Sequence, residues 1–481
     1  MKPVDEKPLD LRVAYIGGGS RGWAWGFMQD LAMDAELDGV VSLYDIDAAA
    51  AEKNRIIGNK ISAHPRAVAR WKYEVAGTLE DALTDADIVV ISILPGTFAE
   101  MRSDVHTPEK YGIWQSVGDT TGPGGLVRAM RTVPMYVKIA EAIRDIAPRA
   151  WVINYTNPMS VCMAALYEVF PDIRAFGCCH EVFGTQELLS DILDNLWGVE
   201  RVPRQEIQVN VLGVNHFTWF DSASYRDVDL FPLYEFFVKK YYDEGYENTP
   251  YENELNRHFT CFHRVKFDLF RRYGLIAAAG DRHLAEFVPA PWYLKDPETV
   301  AAWKFALTPV SWREEDLKKR LARSDALVSG RRSPQMEPSG EEGHLLIKAL
   351  LGLGDIISNV NLPNRGQISN LPLGAIVETN ALFRRGHILP VNAGSIPDNL
   401  LPLISRHAHS QRNILHAALN CDFSLALSAL MDDPLMAGIT IDAAAEMLRT
   451  MLENTKDYLP GKWRTKMLMP NWPDRQFYRQ T

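Results

Sequence analysis

The sequence predicts an open α/β protein: a doubly wound parallel sheet followed by a second, mainly helical α+β domain. Three observations carry this. Short apolar runs alternate with helical patterns through the first half. The first of those runs opens directly into a glycine-rich loop, and from about Ile207 the alternation gives way to longer helical stretches. A chain of 481 residues exceeds one ordinary core. We divide it into 1–205 for the first domain and 206–481 for the second.

Leu11–Ile16 reads as the first strand, Val40–Tyr44 as the second, Tyr73–Ala76 as a short third and Ile88–Leu94 as the fourth. Each is rich in Val, Ile or aromatics and bounded by Gly, Asp or Pro. Trp151–Asn154 and Arg174–Gly177 continue the series, separated by the helical stretches Val133–Ile146 and Ser160–Val169. Ile207–Val214 reads as a further strand, and Leu230–Phe270, dense in Tyr, Phe, Glu and Lys, as helices. Helical patterns recur at Gly343–Leu351 and Leu400–Leu430, with a strand-like run at Leu373–Val377. Arg323–Glu342, rich in Ser, Gly, Arg and Pro, is expected to be a mobile loop.

Composition narrows the partners. A 47% hydrophobic content supports sizeable cores, and a net charge of −10 disfavours nucleic acid, whose phosphates need clustered Lys and Arg. Met1 to Asp10 lacks the charged and apolar regions of a signal peptide. No stretch approaches the roughly 20 apolar residues of a membrane helix. The five cysteines have no staple-like spacing, which suits a reducing compartment. A cytoplasmic protein acting on small molecules is expected, with neither nucleic acid nor membrane as partner.

The first strand runs into Gly17, Gly18, Gly19, Ser20, Arg21 and Gly22, which fits G-x-G-x-x-G through Gly17, Gly19 and Gly22. Such glycines permit a tight turn and close approach of a pyrophosphate to the next helix N-terminus, as in a Rossmann-type domain. The second strand ends in Asp45, placed to bond both ribose hydroxyls and to repel a 2′-phosphate. NAD is favoured over NADP, with Asp47 the competing carboxylate. After the fifth strand, Asn154 and Asn157 lie at the carboxyl edge, where open α/β sheets bind ligands. An Asx-type turn opening the helix at Pro158 explains the same residues. Further on, Gly177-Cys178-Cys179-His180-Glu181-Val182 and Asn215-His216 end two strands. A thiolate and an imidazole there can hold a borderline metal and leave positions open for substrate oxygens, although either residue alone is ordinarily core.

Together these residues resemble glycoside hydrolase family 4, the NAD- and metal-dependent glycosidases related in fold to lactate and malate dehydrogenases. The similarity includes the Gly17–Gly22 loop, Arg102 with Pro108–Gly112, Thr121–Gly125, Asn157-Pro158, Cys179, Asn215-His216, Leu373–Glu378 and Ala429–Leu435. It implies Cys179 and His216 as ligands of manganese or another divalent metal, and Arg102 and Asn157 as substrate contacts. Ser20 and Asn154 join Asp45 and the glycines as cofactor contacts. The residue after the metal Cys is His180, whereas phosphosugar branches carry Asp or Asn. Cys179-His180-Glu181-Val182 is similar to the α-galacturonidase branch, with α-galactosidase or α-glucuronidase as alternatives.

The family route implied is oxidation of C3 by NAD, loss of the acidified C2 proton, departure of the C1 group, addition of water and return of the hydride. That sequence departs from the two-carboxylate scheme of ordinary glycosidases. For the C2 base we expect Asp281, with Tyr273 as runner-up; a helix cap or a surface pair with Arg282 is the structural alternative for Asp281. His180 and Glu181 are the candidates for the acid. Arg282 and Arg102 are the cations suited to a uronate carboxylate. A uronide or oligogalacturonide substrate and a homodimer or homotetramer follow from the resemblance. A hydroxy-acid dehydrogenase would need no metal cysteine, and a non-catalytic NAD sensor would need neither metal ligands nor a base.

Overall fold

In the computed structural model, which describes residues 9–200, 202–247, 258–259 and 261–463, the first six strands form one parallel sheet. β1 (Leu9–Ile16), β2 (Leu37–Tyr44) and β3 (Trp71–Val75) wind to one side, and β4 (Ile88–Ile91), β5 (Trp151–Asn154) and β6 (Arg174–Gly177) to the other. This is the doubly wound arrangement the βαβ pattern predicts. All four residues of β4 are buried because helices cover both faces of the sheet. Val89 and Ile91 pack with Val133 and Leu166 on one face, while Val90 packs with Tyr15 and Ile347 on the other.

A second sheet is built on the hairpin of β7 (Ile207–Val214) and β8 (Phe217–Tyr225), with β9 (Val228–Asp229) and β10 (Ile276–Ala277) pairing to β8. The helices Glu181–Trp197, Phe231–Tyr241 and Arg264–Tyr273 supply Leu189, Phe237 and Phe267 to its core. Part of the helical run expected at Leu230–Phe270, residues 248–257 and 260, lies outside the described residues.

Three strands from the second half extend the first sheet beyond β6. β11 (Ile356–Pro363), β12 (Ile376–Arg384) and β13 (His387–Pro390) run antiparallel, giving nine strands in the order β13-β12-β11-β6-β5-β4-β1-β2-β3. Of the strand-like run at Leu373–Val377, Ile376 and Val377 open β12, while residues 373–375 form the turn before it. β11 is hidden in the sequence because Ser358, Asn359 and Asn361 interrupt its apolar pattern. Its polar side chains are nevertheless buried, with their amides hydrogen bonded to neighbours.

The loop expected over Arg323–Glu342 is shorter than its composition predicts. The helix Val310–Ser329 runs through its first part and ends at Gly330, held at φ +78°. The rest is tied down: the Ser339 amide donates to Asp30 at 2.9 Å, and Glu342 pairs with Arg204 at 2.8 Å. Among the described residues no helix is long and apolar enough to cross a membrane.

Candidate functional site

The glycine loop turns tightly over the end of β2. The Gly17 and Gly18 amides both donate to the Tyr44 carbonyl at 2.9 Å. Gly17 has φ +93°, and a Cβ there would lie 2.0 Å from the Ser92 carbonyl oxygen. The Ser20 amide returns to the Gly17 carbonyl at 3.0 Å. Gly22 precedes the helix Trp23–Ala32, whose first turn has no side-chain cap, so its amides are open to an anion. Asp45 accepts the Gly19 amide at 2.8 Å, whereas Asp47 caps the helix Ala48–Ser62 and lies 3.5 Å from Arg21. The geometry thus separates two carboxylates that the sequence leaves in competition.

Asn154 departs from expectation. It is fully buried; its Oδ1 accepts from Tyr136 Oη and the Thr156 amide, and its Nδ2 donates to the Thr156 carbonyl. Those bonds make it a turn-builder rather than a cofactor contact. Asn157, across a cis bond to Pro158, does face the centre: its Nδ2 lies 3.4 Å from Asp119.

Three segments converge at the carboxyl edge of the parallel strands. Asp119 comes from the loop before the helix Gly122–Ile146, His216 from the tip of the β7–β8 hairpin, and His283 from the short helix Asp281–Leu284. One donor atom from each lies within 4.8 Å of the others. His216 is held at φ +64°, in the left-handed region that β-hairpin tips use, at a cost of about 1 kcal/mol. Its Nδ1 is bonded to the Thr120 hydroxyl at 2.8 Å, which leaves Nε2 for a ligand. The His216 and His283 rings lie 3.8 Å apart between centroids. Burial, then His283, lowers the His216 pKa to about 3, so the imidazole stays neutral. Asp119 is ionised: burial opposes this, but the Arg128 guanidinium foremost outweighs it.

Cys179, expected to share the metal with His216, is not one of the three donors that meet within 4.8 Å. Burial, then Glu378 and Glu181, holds its thiol well above the usual range, and Asn215 bonds it. Asn215 and Asn359 both donate to Glu378, at 3.1 and 2.6 Å, and Asn359 also donates to the Cys179 carbonyl at 3.2 Å. One buried carboxylate therefore ties the Cys179 loop to the hairpin bearing His216. Two buried side-chain atoms, His283 Nδ1 and Asn215 Oδ1, have no hydrogen-bond partner. Oxygen and imidazole donors of this kind, with an unused ring nitrogen, fit a borderline divalent cation.

Next to the cluster opens a cavity of about 1000 Å³, lined by Trp23, Tyr155, His180, Glu181, Lys266 and Gly280 among others. Glu181 accepts the Gly280 amide at 2.8 Å and lies 3.5 Å from His283 Nε2. Although burial opposes it, His283, His180 and His216 bring its pKa down to about 2. His180 lies 3.1 Å from Glu341; against burial, Glu341 and Glu181 raise its pKa to about 9.

Neither expected base faces the cluster. The Asp281 carboxylate accepts the Val265 and Lys266 amides at 3.2 and 3.1 Å and so caps the helix Arg264–Tyr273. Tyr273 lies at the opposite end of that helix, against Trp219. The expected uronate cations are likewise engaged. Arg282 donates to the Ser116 and Ala306 carbonyls and to Thr308, and stacks on Phe259. Arg102 is half-exposed in an ion pair with Glu314 at 2.7 Å. The sequence reading missed Asp119, His283, Glu378 and Lys266. Two had a signal: Asp119, an acid in Gly118-Asp119-Thr120 just before a proline-opened helix, and Glu378, the end of the Leu373–Glu378 segment.

Fold and site define a class: a doubly wound α/β protein with an anion-receptive glycine loop and an Asp–His–His cation cluster at the carboxyl edge of its sheet. A family model described as family 4 glycosyl hydrolase matches residues 12–195, and one for the family's C-terminal domain matches 211–436. The chain belongs to glycoside hydrolase family 4 and is a glycosidase. It is 58% identical to an alpha-galacturonidase of Thermoanaerobacterium saccharolyticum, covering 97% of this chain and 100% of that one. The crystal structure of Bacillus subtilis lplD superposes with a TM-score of 0.87 at 50% identity, over 92% of this chain and 100% of the other. A gut-microbial 6-phospho-alpha-glucosidase in complex with NAD and Mn2+ shares the fold, with a TM-score of 0.77 at 20% identity over 94% and 99% of the two chains.

Proposed function

We propose that the enzyme hydrolyses α-D-galacturonides, such as the ends of oligogalacturonides, with NAD at the glycine loop and a divalent cation, manganese foremost, at Asp119, His216 and His283 beside Cys179. The observation that carries this reading is the run Cys179-His180-Glu181, which sets an oppositely charged His–Glu pair against the cation cluster. The alpha-galacturonidase name of the relative at 58% identity supports the choice of sugar. Assembly as a homodimer or homotetramer belongs to the same reading.

When bound, NAD supplies a reversible hydride acceptor for C3, and the cation draws charge from the neighbouring sugar oxygens, which acidifies the C2 hydrogen. The chain's own groups then divide the proton work. Glu181, ionised and lining the cavity beside the cluster, takes the C2 proton in place of Asp281 or Tyr273. His180, protonated at neutral pH, gives a proton to the departing glycosidic oxygen. Opposite protonation states in adjacent groups are what acid–base catalysis at one pH requires. Asn157 and Asp119 hold the sugar's ring hydroxyls, and Asp45 holds the ribose.

The test is a release assay on α-D-galacturonide, α-D-glucuronide, α-D-galactoside and 6-phospho-α-glucoside, with NAD and manganese supplied. The galacturonide is expected to be cleaved fastest, without lasting NADH. Preference for another sugar overturns the substrate, and full activity after exhaustive removal of NAD overturns the chemistry.

A further inference from the structure

With Arg282 and Arg102 engaged elsewhere, another cation has to meet a uronate. The cavity wall offers several, and most are already neutralised or bonded. His180 is paired with Glu341, Arg204 with Glu342 and Arg320 with Asp316, while Arg323 donates to Gln335 at 2.8 Å. Lys266 differs. Its side chain is 1% exposed, yet its ammonium has one hydrogen-bond partner, the neutral Thr185 hydroxyl, and no ion-pair partner among the described residues. Asp281 is bonded to the backbone amide of Lys266, not to the ammonium.

Burial lowers the Lys266 pKa, and the Asp281 and Glu181 carboxylates act on it without forming an ion pair, so an ammonium with two unused N–H groups at the cavity wall is a receptor for an anion. Two features add to this. Thr185 and Gly184 lie in the first turns of the helix Glu181–Trp197, and Lys266 in the first turn of Arg264–Tyr273, so two helices bring these groups to the same wall. Gly184 has no heavy atom within 4 Å of where a Cβ would stand, which leaves room beside Lys266 for a planar group.

We infer that Lys266, supported by Thr185, receives the C6 carboxylate of the substrate and so selects uronides over neutral sugars. The inference rests on the proposed galacturonide activity. Its test compares wild type, Lys266→Met and Lys266→Arg on α-D-galacturonide and α-D-galactoside, alongside NAD affinity and the melting shift produced by D-galacturonate. Lys266→Met is expected to lose roughly thirtyfold or more in kcat/KM on the galacturonide, chiefly through KM, and little on the galactoside. The melting shift from D-galacturonate should vanish in Lys266→Met and survive in part in Lys266→Arg, with NAD affinity unchanged. Equal losses on both sugars, a retained melting shift in Lys266→Met, or weakened NAD binding overturns the assignment alone. A wild type that cleaves the galactoside and ignores the galacturonide overturns the substrate reading and this assignment with it.

Discussion

Asp281 and Asp119 are carboxylates withdrawn from water in opposite kinds of surroundings. Asp281 receives two backbone amides, and burial raises its pKa to about 6. Asp119 is met by side chains: Asn157, Arg128 and the imidazoles of His216 and His283. Backbone amides cannot leave, so a carboxylate they saturate belongs to the scaffold. Imidazoles can exchange a neighbour for a cation, so a carboxylate they surround belongs to the site.

That contrast can be broken first where the effect is greatest. His216→Ala and Asp119→Asn should each lower kcat by roughly 10³-fold while NAD binding persists, as for removal of a preorganised electrostatic group. Retained turnover in both variants would remove Asp119 from the site and erase the contrast. Glu286 is a second carboxylate of the scaffold kind, accepting the Val117 and Gly118 amides at 2.7 and 2.9 Å, with burial raising its pKa to about 8. The folded state therefore keeps a proton that the unfolded chain loses near pH 4.5, and stability falls as pH rises from there to about 8. Glu286→Gln should flatten that fall, by on the order of a few kcal/mol, in denaturant titrations across the interval.

Asp281→Asn is the sharper discriminator. As a helix cap it should cost about 1–2 kcal/mol of stability, read from thermal melts, with kcat within a few-fold of wild type. A loss of about 10²–10⁴-fold in kcat with an intact fold would restore Asp281 as the base. Arg102→Ala stands last, because an exposed pair such as Arg102–Glu314 contributes less than about 1 kcal/mol. Its kcat/KM should stay within a few-fold; a larger fall would bring Arg102 back to the substrate.

Much of this was legible before the fold was known. The glycine loop, the six parallel strands, the Asp45 carboxylate and the strand end before His216 follow from local patterns of glycine, β-branched residues and strand ends. The His283 contribution was not legible, although Asp281 and Arg282 of the same short helix were candidates. Two positions apart on a helical turn point about 200° away from each other, so Asp281 turns to a neighbouring helix and His283 to the cluster. Periodicity cannot say which side faces the site without knowing what packs there. Lys266 was hidden for the opposite reason, since a lysine in a helix first turn is ordinarily solvated and only its burial makes it unusual.

The pairing of Asn361 with Gly177 spans 184 positions. On the ribosome, at about 5–20 residues per second, β6 therefore waits roughly ten to forty seconds for the strand that covers it. Until then its unpaired N–H and C=O groups form an open border flanked by buried Phe176, able to zip onto a stranger. A nascent chain halted before β11 would be the aggregation-prone species, and holding it safely during that interval is work that falls to the cell's chaperones.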